Sequence, residues 1–121
     1  MEKISKIQAN TLIKIPEGKL EEFKQLAIKH TKLAREKDTG TLKHDWFLNS
    51  DQTECVVREE FTSEKALIEH YINTSPLQGL WGDFSIDHAK LFGDLSPQLL
   101  EMLKGPNISP VKLYSFFLGL D

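Results

Sequence analysis

The stretch "ECVVREEFTSEKALIEHYINTS", Glu54 to Ser75, changes period in its middle, and that change decides the fold. Up to Phe61 the run is β-prone, and Val57, Glu59 and Phe61 share one face because successive strand side chains point to opposite sides. Ser63 then offers a cap for a helix through about Asn73, with Glu64 in the first turn where the helix dipole favours an acid. The helix closes on His70, Tyr71, Asn73 and Thr74. These four edge a pocket if the helix turns that side onto a sheet, and form a polar rim if Glu69 and Ile72 turn inward.

Upstream, "TLKHDWFLN" (Thr41 to Asn49) is another β-prone run, joined through "SDQT" to Glu54–Phe61 as an antiparallel hairpin. Before it, Leu20, Phe23, Leu26, Ala27, His30, Leu33 and Ala34 recur at three and four, which predicts an amphipathic helix from about Lys19 to "KDTG". "ISKIQANTLIKI" (Ile4 to Ile15) alternates Ile7, Ala9, Thr11, Ile13 and Ile15 as a first strand, and "PEG" stops it. Downstream, Ser75-Pro76 opens a short helix. Asp83 to Phe92 reads as a fourth strand, Ser96 to Gly105 as a capped helix, and Val111 to Leu120 as a last strand.

The order βαββα, short helix, βαβ predicts one α+β domain over residues 1–121, a ferredoxin-like split βαβ sandwich on an antiparallel sheet. Helices cover one sheet face. The pairs Trp46 and Phe47, Val56 and Val57, Phe116 and Phe117 make the other face apolar too, so burial against a second copy, a homodimer, is expected.

Composition narrows the function classes. With 40% apolar and 27% charged residues, the 121-residue chain has the makeup of a globular domain. Its formal charge of −3 offers no broad positive field for nucleic acid. No apolar run is long enough to span a membrane and the start lacks a signal-peptide stretch, so a cytoplasmic protein with no membrane partner is expected. The lone Cys55 reads as a small buried strand residue. The four histidines lack HxxxH or HxH spacing, which gives no metal signature, and no Walker-type, GxGxxG or GxSxG run is present.

With "IPEGKLEEF" after the first strand, "GTLKHDWF" opening the hairpin and "VVREEFTSEKALIEHY" leading into the second helix, the chain resembles the antibiotic biosynthesis monooxygenase family. That family is related to the dimeric α+β barrel proteins. The resemblance covers roughly Ile4 to Thr74, with residues 75–121 as an extended C-terminal half. It implies oxygenation without metal or flavin. The family's third strand ends in an acid, a variable residue and Trp, followed by a helix with His on its inner side. Glu59, Glu60 and Phe61 stand in the first three places and His70 in the last; Phe61 departs from the pattern and removes an indole donor. In haem-degrading relatives an axial His lies further along, where this chain reads "PLQGLWG", so no haem is expected.

Cofactor-free oxygenation needs a dry pocket, a base and donors for the developing oxyanion. His30 falls in the middle of the first helix's apolar stripe, either as a bonded core residue or as a pocket residue. His70 flanks the apolar face of the second helix beside Tyr71. His44 and Trp46 share a strand face with Leu42. If that face and the one bearing Glu59 both point to the helices, His30, His44, His70 and Glu59 converge; one residue out of phase, they separate. Trp46 is core or a stacking platform. Asn10 is a candidate amide donor or an interface bond, and Trp81, between Gly79 and Gly82, a candidate lid residue. The expected function is a cofactor-independent monooxygenase acting with O2 on a small aromatic, quinol or polyketide-like substrate. His70 and His30 serve as catalytic bases, and His44, Trp46, Glu59, Phe61, Tyr71, Asn10 and Trp81 line the substrate site. A non-catalytic small-molecule-binding or stress-associated protein, and a haem-binding relative, are the alternatives.

Overall fold

In a computed structural model that describes residues 6–102 and 111–120, the chain runs β1 (Ile7–Lys14), α1 (Leu20–Lys37), β2 (Thr41–Leu48), β3 (Glu54–Phe61) and α2 (Glu64–Thr74). A short 3-10 helix (Ser75–Trp81), β4 (Ser85–Phe92), α3 (Pro97–Met102) and β5 (Val111–Tyr114) follow. The strands form one sheet in the order β2-β3-β1-β4-β5. The first four are antiparallel in the split βαβ arrangement. The fifth differs from expectation: β5 pairs parallel to β4, so the sheet is mixed. A strand that returns after an intervening helix enters in parallel, whereas a hairpin would enter antiparallel.

Local chemistry explains the elements. Ser63 Oγ accepts the Ala66 N–H and caps α2. In α1, Glu21 and Glu22 occupy the first turn and Arg35 and Lys37 the last, each complementing the dipole, while Phe23, Leu26 and Ala34 are buried against the sheet. The last strand is shorter than the predicted Val111 to Leu120. Its partner among the described residues, β4, ends at Phe92 beside Gly93, whose φ of +131° turns the chain away. Residues 115–120 therefore join no ladder among the described residues, and Phe117 is 92% exposed. The predicted strand start at Ile4 and helix end at 103–105 lie outside the described residues. Among those residues, no helix is long and apolar enough to cross a membrane.

The core divides in two. Ile13, Ile15, Phe23, Leu26, Cys55, Val57 and Phe84 form one cluster, and Ile7, Phe61, Ala66, Leu67 and Leu99 the other. On β3 the inward row runs Cys55, Val57, Glu59, Phe61, so a carboxylate stands where the two apolar clusters meet. The ladder aligns Glu59 with Ala9 on one side and His44 on the other.

Candidate active site

Four elements deliver side chains to that seam. β3 supplies Glu59 and β2 supplies His44 directly across from it. A register shift between Thr41 and Lys43 detaches Leu42, which lies 52% exposed instead of sharing the face of His44 and Trp46. α1 supplies His30, midway between buried Leu26 and Ala34 at four-residue spacing. α2 supplies His70, buried to 2%, whose carbonyl accepts a hydrogen bond from Thr74 Oγ1.

His70 is the hub. Its Nδ1 donates to Asp38 Oδ2 at 2.7 Å. Its Nε2 lies 3.2 Å from Glu59 Oε2 and 3.3 Å from His30 Nε2. His44 Nε2 lies 3.4 Å from the same Glu59 oxygen. The Nδ1 atoms of His30 and His44 are buried and meet no hydrogen-bond partner among the described residues.

Burial sets the protonation of this group against its charges. Burial alone would lower His70, but hydrogen bonds and charge from Glu59 and then Asp38 raise it above the ordinary histidine value. Burial, then the charges of His44 and His70, pushes His30 down to about 4. His44 is lowered chiefly by burial. Burial alone would raise Glu59, and the His70 hydrogen bond followed by imidazole charge brings it below the usual carboxylate range. Asp38 follows the same balance: burial raises it, while bonds from Asn73, Thr41 and His70 lower it further. The surroundings thus favour the imidazolium form of His70, between two carboxylates, and the neutral form of His30 and His44.

An aromatic wall flanks it. Trp46 and Trp81 stack with centroids 5.9 Å apart and planes 11° apart, and His30 meets both edge-on. Trp46 donates from Nε1 to Thr31 Oγ1 at 2.8 Å. Phe61 is fully buried, 5.4 Å from the His70 ring. Tyr71 borders the group, 6.2 Å from His70. Tyr71 as a whole is 36% exposed, so its desolvation is partial; that and the Glu59 charge push its hydroxyl upward and keep it neutral.

His30, His44, His70, Glu59, Trp46, Phe61, Trp81 and Tyr71 therefore come together. Asn10 does not. It lines a depression of about 200 Å3 on the opposite sheet face with Gln8, Lys43, Asp45, Phe47, Arg58 and Glu60, and Glu59 is the one site residue that also borders it. Strand alternation explains this: Ala9 faces the helices, so Asn10 points away. Asp38 was missed by sequence reasoning. It is the C-cap of α1, and an acid at the negative end of a helix dipole is an electrostatic misfit that signals a compensating partner. Thr31 carried no comparable signal.

Fold and cluster define a class: a ferredoxin-like α+β protein with imidazoles and carboxylates buried beneath its helices. No family model matches the sequence, and no curated protein does. Solved structures do match. MupZ from Pseudomonas fluorescens aligns at a TM-score of 0.77 and 21% identity over 96% of this chain and 93% of its own. A candidate antibiotic biosynthesis monooxygenase from Nitrosomonas europaea aligns at 0.65 and 15% identity, over 80% of this chain and 97% of its own. SnoaB, a cofactor-independent oxygenase from Streptomyces nogalater, aligns at 0.64 and 12% identity, over 76% and 95%. The chain has the fold of the antibiotic biosynthesis monooxygenase-like proteins.

Proposed function

We propose that the protein is a cofactor-independent monooxygenase acting on a small hydroxylated aromatic, quinol or polyketide-like substrate. The observation that carries this reading is the contact of His30 Nε2 with His70 Nε2 at 3.3 Å, with His70 clamped by Asp38 and Glu59. A neutral imidazole beside a fixed imidazolium is a base paired with an anion stabiliser. His30 removes the substrate proton, and His70 holds the resulting anion by charge. The anion gives an electron to O2, the radicals join as a C–OOH adduct, and loss of water leaves a carbonyl, so a CH2 group and O2 become C=O and H2O. Trp46 and Trp81 give a planar ring an apolar wall and keep water from the carbanion. The shared fold with SnoaB supports the same class.

The acting form is a cytoplasmic homodimer. The outer sheet face is not the wholly apolar surface expected, since Gln8, Asn10, Lys43, Asp45, Arg58 and Glu60 surround Phe47 and residues 116 and 117 lie outside the strands; the support for burial against a second copy is Phe47 itself, 52% exposed. Oxygen uptake with hydroquinones and anthrone-type compounds tests the chemistry. His30→Ala and His70→Ala each lower kcat about 100-fold or more, the contribution of a positioned acid or base. Uptake that both variants leave unchanged, or that no compound elicits, removes the reading.

A further inference from the structure

Deprotonation needs His30 and His70; it leaves His44 without a part. Yet one ring nitrogen each of His30, His44 and His70 lies within 4.8 Å of those of the other two. Around an ion bound at ~2.0–2.1 Å in a tetrahedral arrangement, nitrogens stand ~3.3 Å apart. The His30 and His70 Nε2 atoms already stand at 3.3 Å. The remaining separations, 4.8 Å at most against that ~3.3 Å, close by about 1.5 Å or less, within the reach of small ring rotations.

The surroundings match as well. Asp38 takes the Nδ1 proton of His70 at 2.7 Å and so aims the Nε2 lone pair at the group, the carboxylate–histidine support found behind metal-bound imidazoles. Glu59 Oε2, 3.2 Å from His70 Nε2 and 3.4 Å from His44 Nε2, adds a second buried anion. Two carboxylates around three imidazoles suit a dication, and nitrogen donors select zinc-type transition ions over magnesium or calcium.

We infer that His30, His44 and His70 form a binding site for a divalent transition ion of the zinc class, oriented by Asp38 and faced by Glu59. The ion takes the place of the Nε2 proton of His70, which is released to solvent. It also takes the lone pair of His30. The ion site stands on its own geometry; its consequence rests on the proposed oxygenation, since an occupied His30 cannot act as a base and the loaded protein loses oxygen uptake.

The full untagged chain, stripped by a chelator and titrated with Co2+, tests the site. Expected are visible d–d bands of low-symmetry Co2+ saturating at one equivalent per chain, displacement by Zn2+, and uptake of a released proton by an indicator dye. His44→Gln, which keeps the side chain's bulk, weakens binding at least ~10-fold, and Asp38→Asn by about 10–100-fold. Circular dichroism confirms that each variant is folded. Absent bands with no Zn2+ heat, or equal affinity in wild type and folded His44→Gln, overturn the inference. If no ion binds while uptake depends on His30, the ion site falls and the oxygenation stands. If Zn2+ binds through His44 and raises uptake, the site stands and the metal-free base falls.

Discussion

Replacing Asp38 by Ala removes the acceptor on which the cluster depends. Its carboxylate receives His70 Nδ1 at 2.7 Å, Thr41 Oγ1 at 2.7 Å and Asn73 Nδ2 at 2.8 Å, and the Asp38 and His70 side chains are each 2% exposed. Breaking a buried ion pair from one side costs ~3–5 kcal/mol, and Glu59, still 3.2 Å from His70 Nε2, keeps the loss at the lower end of that range. The orphaned Thr41 and Asn73 groups turn toward water or new partners and contribute less, under ~1 kcal/mol each. A total of ~4 kcal/mol is a large part of the ~5–15 kcal/mol that holds a typical domain. At ~4 °C per kcal/mol, Tm falls by about 15 °C. Asp38→Asn keeps one carbonyl acceptor and costs ~1–3 kcal/mol. Urea unfolding followed by circular dichroism measures both, and a cycle with His70→Leu isolates the pair, with a coupling of at least ~2 kcal/mol expected. A loss below ~1 kcal/mol for Asp38→Ala, or additive effects with His70→Leu, refutes the placement of Asp38 as the anchor of His70.

Acid should weaken the ion-free protein through His30. The group titrates near 4 in the fold against an ordinary 6.5, so as pH falls from 6.5 toward 4 the unfolded chain gains the proton first and stability declines, by up to ~3 kcal/mol. His70 acts in the opposite sense: its raised value gives stability that is complete below 6.5 and fades as pH climbs through the folded value. Urea melts of His30→Leu at pH 7 and 4.5 should show a shallower acid loss than wild type; an equal loss contradicts the buried neutral state of His30. Phe47→Asp, on the outer sheet face, should weaken self-association at least ~10-fold in sedimentation velocity without lowering Tm of the monomer. A wild type that sediments as a monomer at micromolar concentration removes the homodimer.

Much of this was legible in order along the chain, because strand and helix periods and the Ser63 cap are local chemistry. The alternation of Ile7, Ala9 and Ile13, the stripe of Phe23, Leu26 and Ala34 and the hairpin all stand where residue spacing puts them. Spacing left the buried side of α2 open between edge and rim; in the fold Leu67 and His70 turn inward while Ile72 is 65% exposed, which makes His70 part of an interior edge. Apart from Asn10, which local strand alternation already turned away from the helices, what failed was whatever depended on a neighbour. The last strand stopped at Tyr114 because β4 had ended, and Leu42 left its face because a register shift lay next to it.

Spacing decided the elements and their dry faces, since each follows from covalent geometry within a few residues. The assembly of His30, His44 and His70 into one group was decided only by tertiary packing. The three rings lie on α1, β2 and α2, with no common period to betray them. Asp38, a misfit at the end of its helix, acquires its meaning only when α2 brings His70 within 2.7 Å. Burial then sets their charges, because a side chain's proton affinity depends on which groups surround it and not on which residues adjoin it in sequence.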